Sequence, residues 1–207
     1  MKKLPNEILD FYLKNQKLIK TKLKEFKSIP EHKYFYELVY CLCTPMSKAE
    51  NAMKVQQIFE QIDFFNFPID PKDILRKPEN YIRFHNQKSK YILWNRENFD
   101  KILKIIKQDI DIFEKRNLLL RQVMGFGMKE TAHFLRNIGQ FGLPILDRHI
   151  LRTMHRFGVI EQIPKNFHKK NYENLERIYI DWCNWNSISI EELDLVLWKL
   201  ETGKILK

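Results

Sequence analysis

A chain of 207 residues is long enough for one domain or two small lobes with a sizeable core, and too long for a peptide scaffold. Its 44% hydrophobic and 13% aromatic residues against 30% charged exclude a long disordered tail or a collagen-like repeat. Lys and Arg number 36 against 26 Asp and Glu, leaving +10, a balance that favours phosphate-bearing or acidic partners and says nothing about chemistry.

Residues 5 to 27 place Ile8, Phe11, Tyr12, Leu18, Ile19, Leu23 and Phe26 among lysines at helical spacing, and Pro30 ends the pattern. Nine lysines against four acids through Lys33 give this arm half of the whole surplus, and a solvated basic face is expected. A second helix is predicted over 33 to 43. Ser47 with Glu50 reads as a capping box, in which each side chain satisfies a free amide of the other's turn, starting a helix to Ile62. Helices follow over Gln87 to Asn95, Phe99 to Lys107, Phe113 to Val123 and Met128 to Ile138. Ser189 with Glu192 repeats the box, and Gly203 supplies the left-handed stop of a last helix over 190 to 202. Strand-like alternation is nearly absent, as are Asn-Gly or Asp-Gly hairpin turns, so the fold class is all-α.

Three cysteines, Cys41, Cys43 and Cys183, offer no spacing for a zinc or iron–sulfur site and are expected to be buried thiols. No metal is therefore assigned to the site. Met1-Lys2-Lys3 meets Pro5, Glu7 and Asp10 at once, and no run reaches the ~18 apolar residues of a membrane span. A soluble intracellular protein with no membrane partner is expected.

The informative segment is 113 to 158. Met124-Gly125-Phe126-Gly127 joins two helical runs, and glycines two residues apart let the backbone make a turn that a side chain at either position would crowd. The amides that open the next helix, with its dipole, suit a phosphate oxygen, so the segment reads as a helix-hairpin-helix that grips DNA backbone without reading sequence. An ordinary helical hairpin could carry the same glycine pair. Lys129 at the start of the second helix, Asp147 eighteen residues on after Pro144-Ile145-Leu146, and the following His149 and Arg152 argue against coincidence.

These residues resemble the helix-hairpin-helix DNA glycosylase superfamily, the relatives of endonuclease III. Gly125-Phe126-Gly127-Met128-Lys129-Glu130-Thr131-Ala132-His133-Phe134-Leu135-Arg136-Asn137-Ile138-Gly139 and Ile145-Leu146-Asp147-Arg148-His149-Ile150-Leu151-Arg152 are more closely similar to the short archaeal-type 8-oxoguanine DNA glycosylase/lyase, the second family of such enzymes. Cys41-Leu42-Cys43-Thr44 and Arg83-Phe84-His85-Asn86-Gln87-Lys88 extend the resemblance, which then spans the chain.

The resemblance implies a single glycosylase fold of two helical subdomains over 1–207, with the hairpin and an aspartate segment at 113–158, no β domain and no iron–sulfur cluster. It implies a bifunctional DNA N-glycosylase and apurinic/apyrimidinic-site lyase of base-excision repair, working as a monomer on double-stranded DNA containing 8-oxoguanine, in the cytoplasm at the nucleoid. In that division of labour Lys129 attacks the sugar C1′ and leaves a Schiff base, and Asp147 stabilises the positive charge on the sugar ring. Gly125 and Gly127 shape the hairpin, and Arg148 and His149 face phosphate. Phe84 and His85 occupy the place of a wedge that fills the gap left by a flipped base, although an aromatic near a helix start is also a common core residue. Met46 departs from relatives, which often carry a polar glutamine or asparagine there. Lys207, through its side chain or a terminal carboxylate, would tell the lesion's N7 hydrogen from guanine's N7 acceptor, with Trp198 stacking on the base; a basic tail and a core tryptophan are the plainer alternatives. The chemistry needs no cofactor, and a monovalent cation at the hairpin is compatible with it. A glycosylase for another oxidised base, or a hairpin module that only docks on DNA, would share many of these features.

Overall fold

The computed structural model describes residues 2–166, 168–205 and 207, and among them there are eleven α-helices, two short 3-10 turns and no strand. The chain divides into two compact units. Among the described residues, one comprises those up to Ser28, those of 139–205 and Lys207; the other comprises Ile29–Ile138.

The first unit contains α1 (Asn6–Lys27), α9 (Arg148–Arg156), α10 (Lys169–Trp185) and α11 (Ile190–Thr202). Ile8, Ile19 and Phe26 lie three and five turns apart along α1, so they form one stripe, and all three are buried. That stripe belongs to the packing of α1 on α11, while Lys14, Lys17, Lys20, Lys24 and Lys27 remain exposed. Ser189 and Glu192 form the expected reciprocal cap, and Gly203 ends α11 at φ 76°. The seventeen-residue α10 has no counterpart in the sequence expectation. Its Tyr172, Leu175, Tyr179 and Trp182 recur at helical spacing, and the helix lies between capping signals too weak to announce it, with no side-chain cap at His168.

The second unit is built on α2 (Tyr34–Cys43), whose residues from Phe35 to Cys43 are all buried. Around it pack α3 (Ala49–Gln61), α5 (His85–Glu97) and α8 (Met128–Asn137), with α4 (Lys72–Leu75), α6 (Phe99–Ile106) and α7 (Ile112–Gln122) completing the unit. A helix apolar all round is stable only when enclosed, and its one acidic residue, Glu37, is satisfied by amides of Gln56 (2.9 Å) and Asn137 (3.2 Å). Phe59 and Phe64 stack at 4.3 Å, and Phe35 meets Phe99 edge-on at 5.5 Å.

The predicted box at Ser47 does not form. The Ser47 hydroxyl instead accepts the Arg83 N–H at 2.9 Å, and α3 starts two residues later from Lys48 without a side-chain cap. α7 has a cap beyond those expected: Asp111 accepts from the amides of Phe113 and Glu114. Cys41, Cys43 and Cys183 are buried free thiols, and burial pushes the Cys43 thiol up to about 12.

Candidate active site

Lys129 is the second residue of α8, and the turn before it is fixed by one buried side chain. Asn95, fully buried on α5, donates its Nδ2 to the Met124 carbonyl (2.8 Å) and accepts the Met124 N–H on Oδ1 (2.9 Å). That pair holds Val123–Met124 at the end of α7, and Gly125 then turns the chain at φ 91°. A Cβ there would run into the Tyr91 ring, so both the backbone angle and the space require glycine. Gly127 is different from the expectation. Its backbone is extended (φ −105°, ψ −174°), and the neighbour of an added Cβ is the far end of the Glu130 carboxylate at 3.0 Å. Only Gly125 of the pair is demanded by the turn.

Glu130 reaches back from the first turn of α8 to accept the Gly127 N–H at 3.2 Å on Oε2, and its Oε1 lies 3.7 Å from Lys129 Nζ. The lysine side chain keeps a quarter of its surface exposed. A second lysine of the same unit is buried: Lys88 on α5 donates to the carbonyls of Cys43 (3.0 Å) and Pro45 (2.7 Å). Burial, then the like charge of Lys129, lowers its amine to about 8, against the opposing pull of Cys43 and Glu130. Lys88 has no role legible in the sequence, because its partners are main-chain carbonyls more than forty residues away. Phe84 and His85 stand at the start of α5. Phe84 is the N-cap residue at φ 60° and is 55% exposed, so it is not a core aromatic; His85 is partly covered and meets Tyr81 edge-on at 5.8 Å.

In the other unit, Asp147 is the N-cap of α9 and accepts the Ile150 N–H at 2.9 Å. The segment leading to it is held by three side chains of α10 and α11. Glu191 accepts the Gly142 N–H (2.6 Å) and Asp194 the Ile145 N–H (3.0 Å). The Tyr172 hydroxyl accepts the Leu146 N–H (3.3 Å) and donates to the Pro144 carbonyl (3.3 Å). Glu191, Asp194 and Tyr172 are themselves buried, so the aspartate is delivered by a rigid support.

Of the residues expected to face DNA, Arg148 is exposed, whereas His149 turns to its own unit. Its ring meets Trp198 edge-on at 5.4 Å, and Nδ1 lies 3.9 Å from Glu201, which also accepts the Thr153 hydroxyl at 3.3 Å. Trp198 is half-buried, and its indole N–H is buried without a hydrogen-bond partner. Arg156 pairs with Glu7 at 3.1 Å. Lys207 is half-buried in this unit. Among the described residues there is no group of three or more His, Cys, Asp or Glu able to hold a metal, and no helix is long and apolar enough to cross a membrane.

A sequence model of the 8-oxoguanine DNA glycosylase family matches residues 19–188. An 8-oxoguanine DNA glycosylase/AP lyase of Fusobacterium nucleatum is 37% identical, over 98% of this chain and 97% of that one. A protein of the same name from Methanocaldococcus jannaschii is 34% identical, over 89% and 87%. Among solved structures, the 8-oxoguanine DNA glycosylase of Thermotoga maritima superimposes with a TM-score of 0.86 at 33% identity, covering 98% of this chain and 97% of that one. The M. jannaschii glycosylase/lyase in complex with a 15mer DNA containing 8-oxoguanine gives 0.84 at 31% identity, covering 93% of each.

Proposed function

The chain belongs to the 8-oxoguanine DNA glycosylase family, and we propose that Lys129 and Asp147 are the residues with which it works. It is a base-excision repair enzyme, an 8-oxoguanine DNA glycosylase and AP lyase. The observation that supports the assignment of Lys129 is its place: a primary amine a quarter exposed, one residue into the helix that follows a DNA-gripping hairpin, beside a carboxylate already engaged by the hairpin.

The neutral Lys129 amine forms a bond to C1′ as the bond from C1′ to N9 of the base breaks. The base leaves with that electron pair and takes up a proton. Proton transfer from the new nitrogen to the ring oxygen opens the sugar to a Schiff base, and loss of a C2′ proton then expels the 3′ phosphate. Asp147 faces the positive charge that develops on the sugar as the base departs. Phe84 and His85 fill the space of the flipped nucleotide, the exposed Arg148 contacts phosphate while His149, turned to Trp198 and Glu201, does not, and Gly125 and Gly127 let the backbone approach it. Trp198 and Lys207 recognise the base; the indole N–H of Trp198 is a buried donor in want of an acceptor, a condition that a bound base relieves. A monovalent cation at the hairpin would be held by main-chain carbonyls other than that of Met124, which Asn95 already occupies. The enzyme acts as a monomer, in the cytoplasm at the nucleoid.

Borohydride trapping tests the reading. Wild-type protein is expected to give a covalent complex on a duplex containing 8-oxoguanine and none on an undamaged one, and Lys129→Gln is expected to give none on either while still binding. Trapping by Lys129→Gln refutes the role of Lys129, and trapping only on an oxidised pyrimidine refutes the substrate.

A further inference from the structure

The lysines of α1 have no place in the reaction described above. From Phe11 to Lys27 the helix carries six lysines and one acid, Glu25, and that acid is held by Lys22 at 2.8 Å. At about 100° per residue, Lys17, Lys20, Lys24 and Lys27 fall within an arc of about 80°, turned away from the buried stripe of Ile8, Ile19 and Phe26, and they extend about 15 Å along the axis. Lys27 rests over the Phe141 ring at 5.1 Å. Lys17, Lys20 and Lys24 are exposed and, among the described residues, pair with no carboxylate. Ammonium groups three and four residues apart on one helix face repel each other, and here no acid of the arc offsets the repulsion. Within this unit α1 packs on α11, and α11 packs on α9, the helix that Asp147 opens, so α11 stands between the lysine arc and that helix.

We propose that the face formed by Lys17, Lys20 and Lys24 is a second DNA-backbone surface, separate from the residues that act on the lesion, and that it holds undamaged duplex while the protein searches. An ammonium on a flexible stem neutralises phosphate as a point charge and reads no base edge, which is what a search along undamaged DNA requires. Each phosphate so neutralised releases a counterion, so this hold is steeply salt-dependent and indifferent to sequence, and it lets the protein slide and hop along one duplex. A lipid surface fits the face less well. A helix that lies on a membrane inserts its apolar side, and the apolar side of α1 is occupied by α11. The inference rests on the reading above, that the substrate is a lesion in duplex DNA.

The test needs no chemistry. Binding of the full chain to an undamaged, labelled duplex is followed by fluorescence anisotropy from about 50 to 200 mM salt, and the slope of log affinity against log salt counts phosphate contacts at about 0.9 each. The triple variant Lys17→Gln, Lys20→Gln, Lys24→Gln is expected to reduce that slope by about 2–3. A control triple of exposed lysines on the other unit, Lys77→Gln, Lys101→Gln, Lys104→Gln, removes the same charge and is expected to change it by less than about 0.5. On a duplex carrying two lesions, the α1 variant is also expected to cut both in one encounter less often than the wild type. An unchanged slope overturns the proposal, and so does an equal fall in both triples, which assigns the effect to net charge. An unchanged slope with binding to phosphatidylserine vesicles lost in the α1 variant replaces DNA by a membrane. Glutamine is a good helix former and the three positions are exposed, so the variant is expected to melt like the wild type; if it does not, Lys20→Gln alone decides, with an expected fall of about 0.9. Absence of excision by the wild type refutes the activity instead, and the salt slopes still decide the surface.

Discussion

Asp147 has two duties that one substitution separates. As N-cap of α9 its carboxylate accepts the Ile150 N–H at 2.9 Å, and as the proposed charge stabiliser it must be an anion. Asp147→Asn keeps an oxygen for that amide, and asparagine caps as well as aspartate, so what the fold loses is the attraction of a full charge to the helix N-terminus, roughly 0.3–1 kcal/mol. In a chain of 207 residues a loss of that size lowers Tm by no more than about 4 °C. The chemistry loses an anion aimed at developing positive charge, and single-turnover release of 8-oxoguanine is expected to slow by about 10²–10³. Asp147→Ala also removes the cap and is expected to cost about 1 kcal/mol more in stability with no further large loss of rate. Release would be followed on a labelled duplex with alkali added to each time point, so that base loss and strand cleavage are counted separately, with unfolding followed by circular dichroism. An Asn variant at the wild-type rate refutes the catalytic assignment and leaves Asp147 a cap. Parallel losses of rate and stability across Asn and Ala place the effect in the fold.

Removal of Lys207 is expected to reduce the ratio of excision rates for 8-oxoguanine over guanine by about tenfold or more, and an unaltered ratio removes it from the pocket. Gly125→Ala forces a left-handed alanine against the Tyr91 ring and is expected to destabilise by about 2–4 kcal/mol, while Gly127→Ala, on ordinary backbone, is expected to cost under about 1; equal losses in thermal melts contradict the distinction. Lys88→Met tests a buried amine lowered from 10.5 to about 8. The unfolded lysine holds its proton up to about pH 10.5 and the folded one releases it near 8, so the penalty of burying the charge is complete below pH 8 and lifts by up to about 3 kcal/mol as pH rises to 10.5. The wild-type stability minus that of the variant is expected to rise across this window in denaturant titrations, and a flat difference shows that the amine is not strained.

The helices that sequence made visible are those with a short-range signal. α1 announces itself by a stripe of period 3.6, and α11 by Ser189 with Glu192 at one end and Gly203 at the other. The failures arise where a capping residue finds a better partner far along the chain. Ser47 has the right residue three places on, but Arg83 claims its hydroxyl, so the box is broken by a contact thirty-six residues distant. α10 is the converse case: tertiary burial of Tyr172, Tyr179 and Trp182 stabilises a helix whose ends carry no marker.

The candidate site divides along the same line. Lys129, Asp147 and the hairpin were legible because a turn, a helix start and a cap are local devices, each written in three or four adjacent residues. Their supports are not local: Asn95 holds Met124, and Tyr172, Glu191 and Asp194 hold the approach to Asp147, across separations of 26 to 49 residues. Strain divides the site once more. Gly125 declares its left-handed turn because glycine is the residue such a turn selects, whereas Met46 and Phe84 adopt the same region with side chains that give no notice of it. A sequence in which those two positions were Gly or Asn would fold at lower cost. What holds them is the Ser47, Asn51 and Lys88 clasp, so the local rule is broken where the surrounding fold can bear it.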